Sequence, residues 1–129
     1  MPLFFVIAGR EPALSFAEFQ AIFPTASIKA VGVDGWIFSN PDIAAIERLA
    51  GVVKWGEVHT RESGVESIGA LIRESVGASK KICFGLSVYD MGSGSTRLAR
   101  ARMQMRKGGM QVKRWLTEQG HPARLVTSR

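Results

Sequence analysis

The sequence predicts an α+β protein in two parts, a βαββαβ unit over residues 1–60 and an incomplete α/β unit over residues 61–129. Three observations carry that expectation. Short apolar runs of strand length alternate with segments of helical period. Asp34-Gly35, between two such runs, is the strongest local hairpin signal in the chain, because both residues tolerate a positive φ. The charge is also divided: residues 97–129 hold nine Lys and Arg against one Glu, a net of +8, whereas residues 1–96 hold eight against ten, a net of −2.

Leu3–Ala8 is six apolar residues rich in Phe, Val and Ile, and reads as a first strand. No basic segment precedes it and Gly9-Arg10-Glu11-Pro12 follows at once, so it is too short for a signal segment or a membrane span, and a cytoplasmic location is expected. Ser15 and Glu18 have the spacing of a capping box, and a helix Phe16–Phe23 would put Phe16, Phe19, Ile22 and Phe23 on one face before Pro24 stops it. Ser27–Val33 and Trp36–Ser39 are strands on either side of Asp34-Gly35. Asn40-Pro41 supplies an N-cap and first-turn proline for a helix through Ala50, with Gly51 just past its end. Val52–Thr60 alternates as a fourth strand. The order β-α-β-β-α-β is that of a ferredoxin-like split βαβ unit. Trp36 and Trp55 fall on strands, as core or sheet-face residues.

In the second part Ser63 and Glu66 form another capping box, for a helix to Val76 with Ile68, Leu71, Ile72 and Val76 inward. Gly77–Ser79 breaks it. An apolar strand follows over Lys81–Tyr89, then a Gly-Ser turn over Met91–Thr96, a basic helical segment over Arg97–Gln119, and a strand over Arg124–Thr127. A lone α-β-α-β unit leaves at least one sheet edge without an evident partner. Cys83, the single cysteine, falls in the apolar strand and is expected to be a buried reduced thiol.

On a helix, Leu98, Ala101, Met105, Val112 and Leu116 fall within an arc of about 60° and form a core stripe. Arg102, Arg106, Lys107, Lys113 and Arg114 fall opposite, with Arg100 nearby, Met103 and Met110 among them, and Trp115 at the boundary. Like charges at i,i+4, such as Arg102 and Arg106, repel and destabilise an isolated helix, and an anion relieves that repulsion. Nucleic acid is the first candidate partner; an acidic protein surface and a plain solvated face are the others. Gly108-Gly109 cost about 2 kcal/mol in a helix interior, which leaves open one continuous helix or an exposed arm Arg97–Lys107 followed by a packed helix. The residues expected to pair with phosphates are Arg97, Arg100, Arg102, Arg106, Lys107, Lys113, Arg114 and Arg124. No zinc-finger spacing, RRM octamer or basic-zipper heptad supplies base readout.

No catalytic constellation is expected. His59 and His121 have no second ligand at useful spacing for a metal. The glycine-serine loop Gly92–Ser95 lacks the Lys-Ser/Thr ending of a phosphate cradle and reads as a connector.

Five stretches also share a family pattern. Leu3–Phe23, with Gly9-Arg10, Pro12, Leu14-Ser15 and Ala17-Glu18, resembles the start of the THUMP-containing tRNA guanine-N2 methyltransferases. Leu49–Val58 is similar to their Leu-Gly-Gly-x-x-Lys segment, with Ala50 where glycine is usual. Phe84–Tyr89 is similar to their Phe-x-x-Ser-Val-Tyr strand. Gly109, Met110, Val112 and Lys113 resemble the start of the next helix, and Arg124-Leu125-Val126 the strand after it.

The resemblance implies a ferredoxin-like N-terminal domain over 1–60 and a partial THUMP-like RNA-binding domain over 61–129, the module that grips tRNA near its 3′ end. In the family an S-adenosylmethionine domain with an Asp/Asn-Pro-Pro-Tyr motif comes next. This chain has no Pro-Pro pair and no Gly-rich cofactor loop after a strand. The resemblance therefore implies a tRNA-binding accessory region with no cofactor of its own. S-adenosylmethionine would be bound by a methyltransferase catalytic domain in cis or trans, and the chain would be either a fragment of a longer product or a reduced protein. The alternative reading is a small ferredoxin-like dimerisation or regulatory domain whose basic tail binds an acidic protein partner.

Overall fold

The computed structural model describes residues 2–40, 42–60, 64–77, 81–92 and 95–126. The chain is α+β and divides into two compact units. The first comprises Met1–His59 and Tyr89–Leu98, the second Thr60–Val88 and Ala99–Arg129. Tyr89–Leu98, expected from the sequence to be part of the second region, thus belongs to the first unit.

The first unit is built on one antiparallel sheet of β1 (Leu3–Ala8), β2 (Ser27–Val31), β3 (Gly35–Ser39) and β4 (Val52–Val58), in the order β2-β3-β1-β4. Helix α1 (Pro12–Ile22) links β1 to β2 and a 3₁₀ turn (Ala44–Arg48) precedes β4. Side chains directly opposite each other in a ladder share a face, and the register sets Phe4 opposite Phe38 and Val6 opposite Trp36. These four bury with Phe19, Phe23, Ile46 and Leu49. The Phe19 ring lies edge-on to Phe38 at 4.6 Å and to Trp36 at 5.3 Å, which makes α1 the lid of an aromatic core. A one-residue slip would send every strand side chain to the wrong face, so this burial also fixes the register.

Three local expectations are corrected. The first helix begins at Pro12 rather than Phe16. A proline in the first turn loses no hydrogen bond and is already set at helical φ, so the helix starts there. Ser15 is consequently inside the helix and buried; its Oγ donates to the Gly51 carbonyl at 2.7 Å, and Glu18 Oε1 accepts the Gly51 N–H at 2.9 Å. The second predicted helix is only the 3₁₀ turn Ala44–Arg48. Asn40 donates to the Asp42 carbonyl, and Asp42 Oδ1 accepts the Ala44 N–H at 3.0 Å. Such local side-chain bonds compete with helix formation, although Ile46 and Leu49 still reach the core.

The hairpin connection is also longer than the two-residue signal suggests. Gly35 is the first residue of β3 and its φ is not positive. What demands glycine there is space, since a Cβ would lie 1.9 Å from the Val6 carbonyl oxygen. The Asp34 N–H donates to the Asp90 carbonyl at 3.0 Å and the Asp90 N–H donates back to Asp34 Oδ2, so the turn is tied to the segment beginning at Tyr89.

The second unit contains α2 (Val65–Val76), β5 (Ile82–Gly85), most of α3 (Ser95–Glu118) and β6 (Ala123–Val126). Strands β5 and β6 pair in parallel, Ile82 with Ala123 and Phe84 with Leu125. Among the described residues, helices cover one face of this sheet: Ile82, Phe84, Val112 and Leu116 bury together with Val65, Ile68, Ile72, Trp115, Ala123 and Leu125 packed around them. The Trp115 ring lies against Gly69, where a Cβ would come within 2.4 Å, and Arg73 stacks on it at 5.6 Å. Ser63 of the second expected capping box lies outside the described residues. The helix start is Gly64, without a side-chain cap, and Gly77 ends α2 at φ 83°. Cys83 is exposed, not buried. Alternate strand residues face opposite ways, and Ile82 and Phe84 take the covered face.

Candidate nucleic-acid interface

Helix α3 runs unbroken through Gly108-Gly109, so the exposed-arm alternative does not describe it. Tertiary contact accounts for that. Gly109 is buried where the helix crosses β6, and a Cβ there would come within 2.9 Å of Leu125 and 3.2 Å of Leu86. The close approach lets Val112 and Leu116 reach the sheet and offsets the low helix propensity of the pair.

With Val112 and Leu116 pointing inward, the rest of the helix surface is determined by the 3.6-residue period. Arg100, Lys107 and Arg114 recur every seven residues along the face opposite the core, about 10 Å apart in rise. Met103 and Met110 stand between them, 85% and 48% exposed. Arg102, Arg106 and Lys113 lie on a separate face, about 100–140° around the helix from this ridge; the two arginines are exposed and Lys113 is half-buried. Among the described residues none of these cations has an ion pair or a side-chain hydrogen bond. The first turn of α3 contains no acid. Arg73, by contrast, is engaged on Trp115. Among the described residues the ridge is thus without an ion pair.

Arg97 is exposed in the first turn of α3, three residues before Arg100. One of the sequence-predicted residues lies apart from the helix. Arg124 is exposed on β6, and strand alternation directs it away from the face that carries Ala123 and Leu125 and that α3 covers. Seven of the eight cations thus lie on α3, and one on β6. The two methionines of the ridge are not among the residues that sequence reasoning assigns to binding. Their signal is the seven-residue recurrence of Arg100, Lys107 and Arg114 with a methionine in each interval.

Beside the ridge, the start of α2, residues Leu86–Val88 and the α3 face bearing Met105 and Gly108 enclose an open cavity of about 630 Å³, with Lys107 among its lining residues. Trp36 is core and Trp55 is 45% exposed on β4. Among the described residues no three His, Cys, Asp or Glu are grouped to hold a metal, and no helix is long and apolar enough to cross a membrane. Comparison of the chain with protein-family models, with curated proteins and with solved structures finds no match to any of them.

Proposed function

We propose that this chain is a cytoplasmic tRNA-binding accessory region, a ferredoxin-like unit followed by part of a THUMP-like unit, that presents tRNA to an S-adenosylmethionine-dependent methyltransferase domain in cis or trans. The observation that carries RNA binding is the exposed ridge Arg100–Met103–Lys107–Met110–Arg114, whose cations have no ion pair among the described residues. Regularly spaced, exposed cations suit a backbone of regularly spaced phosphates, and the exposed methionines suit sugar and base surfaces between them. The ferredoxin-like reading is supported by the antiparallel order β2-β3-β1-β4 with α1 crossing between β1 and β2. The second crossover departs from it, being a 3₁₀ turn in place of a helix.

The test is tRNA affinity as a function of salt. Log K should fall linearly with log salt, at about −0.7 to −0.9 per phosphate neutralised. Absent binding, or binding unchanged when Lys107 and Arg114 become Ala, rejects the reading. In that case an acidic protein becomes the candidate partner for the same ridge. Labelled S-adenosylmethionine and tRNA should give no methylation with this chain alone.

A further inference from the structure

Trp36 is 2% exposed, and its indole N–H is buried without a hydrogen-bond acceptor among the described residues. A buried donor left unpaired loses the hydrogen bond that it makes to water in the unfolded chain, so buried polar groups are nearly always satisfied. The side chains around the ring do not supply the missing acceptor. Phe16 lies edge-on to it at 5.0 Å and Phe19 at 5.3 Å. On the ladders Trp36 stands opposite Val6 on one side and Val31 on the other.

Trp36 also lines an open cavity of about 260 Å³ between the start of α1 and the connection from β2 to β3. Pro12, Ala13 and Phe16 wall it from the helix, Val31 and Val33 from β2 and the connection. None of the lining residues is charged, and the indole N–H is the one polar group that their side chains bring.

The chemistry of an occupant follows from that lining. A charged molecule would give up hydration there with no counter-ion to meet it. A water would find one side-chain partner, where an ordered buried water makes about three hydrogen bonds. An apolar molecule with one acceptor oxygen covers the aromatic and aliphatic walls and pairs the indole as well. The volume lies just below the range of about 300–1,000 Å³ usual for drug-sized ligands, which suits a molecule of one ring and not a peptide segment.

We infer that this cavity is a binding site for a small uncharged apolar molecule, such as a single-ring ketone, whose oxygen accepts the Trp36 indole N–H. The lining lies wholly within the first unit and the inference does not rest on RNA binding by α3.

Acetophenone, ethylbenzene and benzoate test it, being alike in size and different in oxygen and charge. In proton–nitrogen correlation spectra of the full chain, the Trp36 indole resonance is assigned by its loss in Trp36→Phe, or by elimination with Trp55→Phe and Trp115→Phe. Acetophenone should move that resonance downfield in a saturable titration and leave those of Trp55 and Trp115 in place. Ethylbenzene should bind about fivefold more weakly and without the downfield shift, and benzoate should not bind. Ala13→Leu, a helix-compatible change at an exposed position, should fill the cavity and abolish the response while the rest of the spectrum stays folded. The inference is overturned by an indole resonance that does not respond to acetophenone, by ethylbenzene or benzoate binding as tightly as acetophenone, or by a response that survives Ala13→Leu.

Discussion

Ser15 and Gly51 are joined by a 2.7 Å hydrogen bond from the serine Oγ to the glycine carbonyl, across 36 residues of sequence. The same carbonyl accepts the Gly9 N–H at 2.9 Å, and the Gly51 N–H is held by Glu18. The start of β4 is thereby fixed to α1 through both of its backbone groups. Ser15→Ala should lower unfolding free energy by about 1 kcal/mol, because the carbonyl keeps its second donor and is not stranded. Glu18→Gln, which retains an acceptor oxygen, should cost less than Glu18→Ala. Urea denaturation of the three variants gives the ranking.

The two central glycines of α3 should respond in opposite ways to the same substitution. A methyl added at Gly108 meets nothing within 4 Å, so Gly108→Ala should stabilise the protein by about 1 kcal/mol through helix propensity. Gly109→Ala brings its methyl to 2.9 Å from Leu125, and the displaced leucine should cancel that gain or reverse it. Thermal melting of the two single variants reads the difference directly.

Gly35→Ala should be far more damaging than either. Its methyl would meet backbone, the Val6 carbonyl in the neighbouring strand, and not the movable end of a side chain. A loss of about 3 kcal/mol or more is expected. Far-UV circular dichroism and the denaturation midpoint will show whether the sheet survives.

Removing the ridge cations should be separable from removing Arg124. The triple change of Arg100, Lys107 and Arg114 to Ala should flatten the salt dependence of tRNA binding by about 2 in slope. Arg124→Ala should change it by less than one contact, because that side chain lies on the other face of β6. Equal effects from the two would mean that the ridge is not the principal contact surface.

Much of this architecture is legible in local patterns, and the failures share a cause. Leu3–Ala8, the inward face Phe19–Phe23 and the Val112–Leu116 stripe are readable because burial follows strand and helix periods. The spacing of Ser15 and Glu18 is also readable, but not its use. Capping boxes act over three residues, whereas this pair acts on a backbone 33 and 36 residues away. Gly35 draws notice in the sequence for its backbone freedom and is required for its lack of a Cβ. Cys83 lies on the expected strand but on the open face, because an apolar run does not say which of its sides a helix will cover. For the candidate site, the cations are evident from composition, and the separation of Arg124 on β6 from the seven on α3 is not.

The sequence by itself determined the alternation of strands and helices, the inward faces of the long elements and the concentration of positive charge in the last quarter. All three depend on periodicity and composition, which are properties of neighbouring residues. The continuity of α3 through two glycines and the return of Tyr89–Leu98 to the first unit were decided by tertiary structure. Each depends on a contact between distant segments: Gly109 against Leu125, and Asp90 against Asp34. Close packing selects among conformations that local propensity leaves nearly equal in free energy.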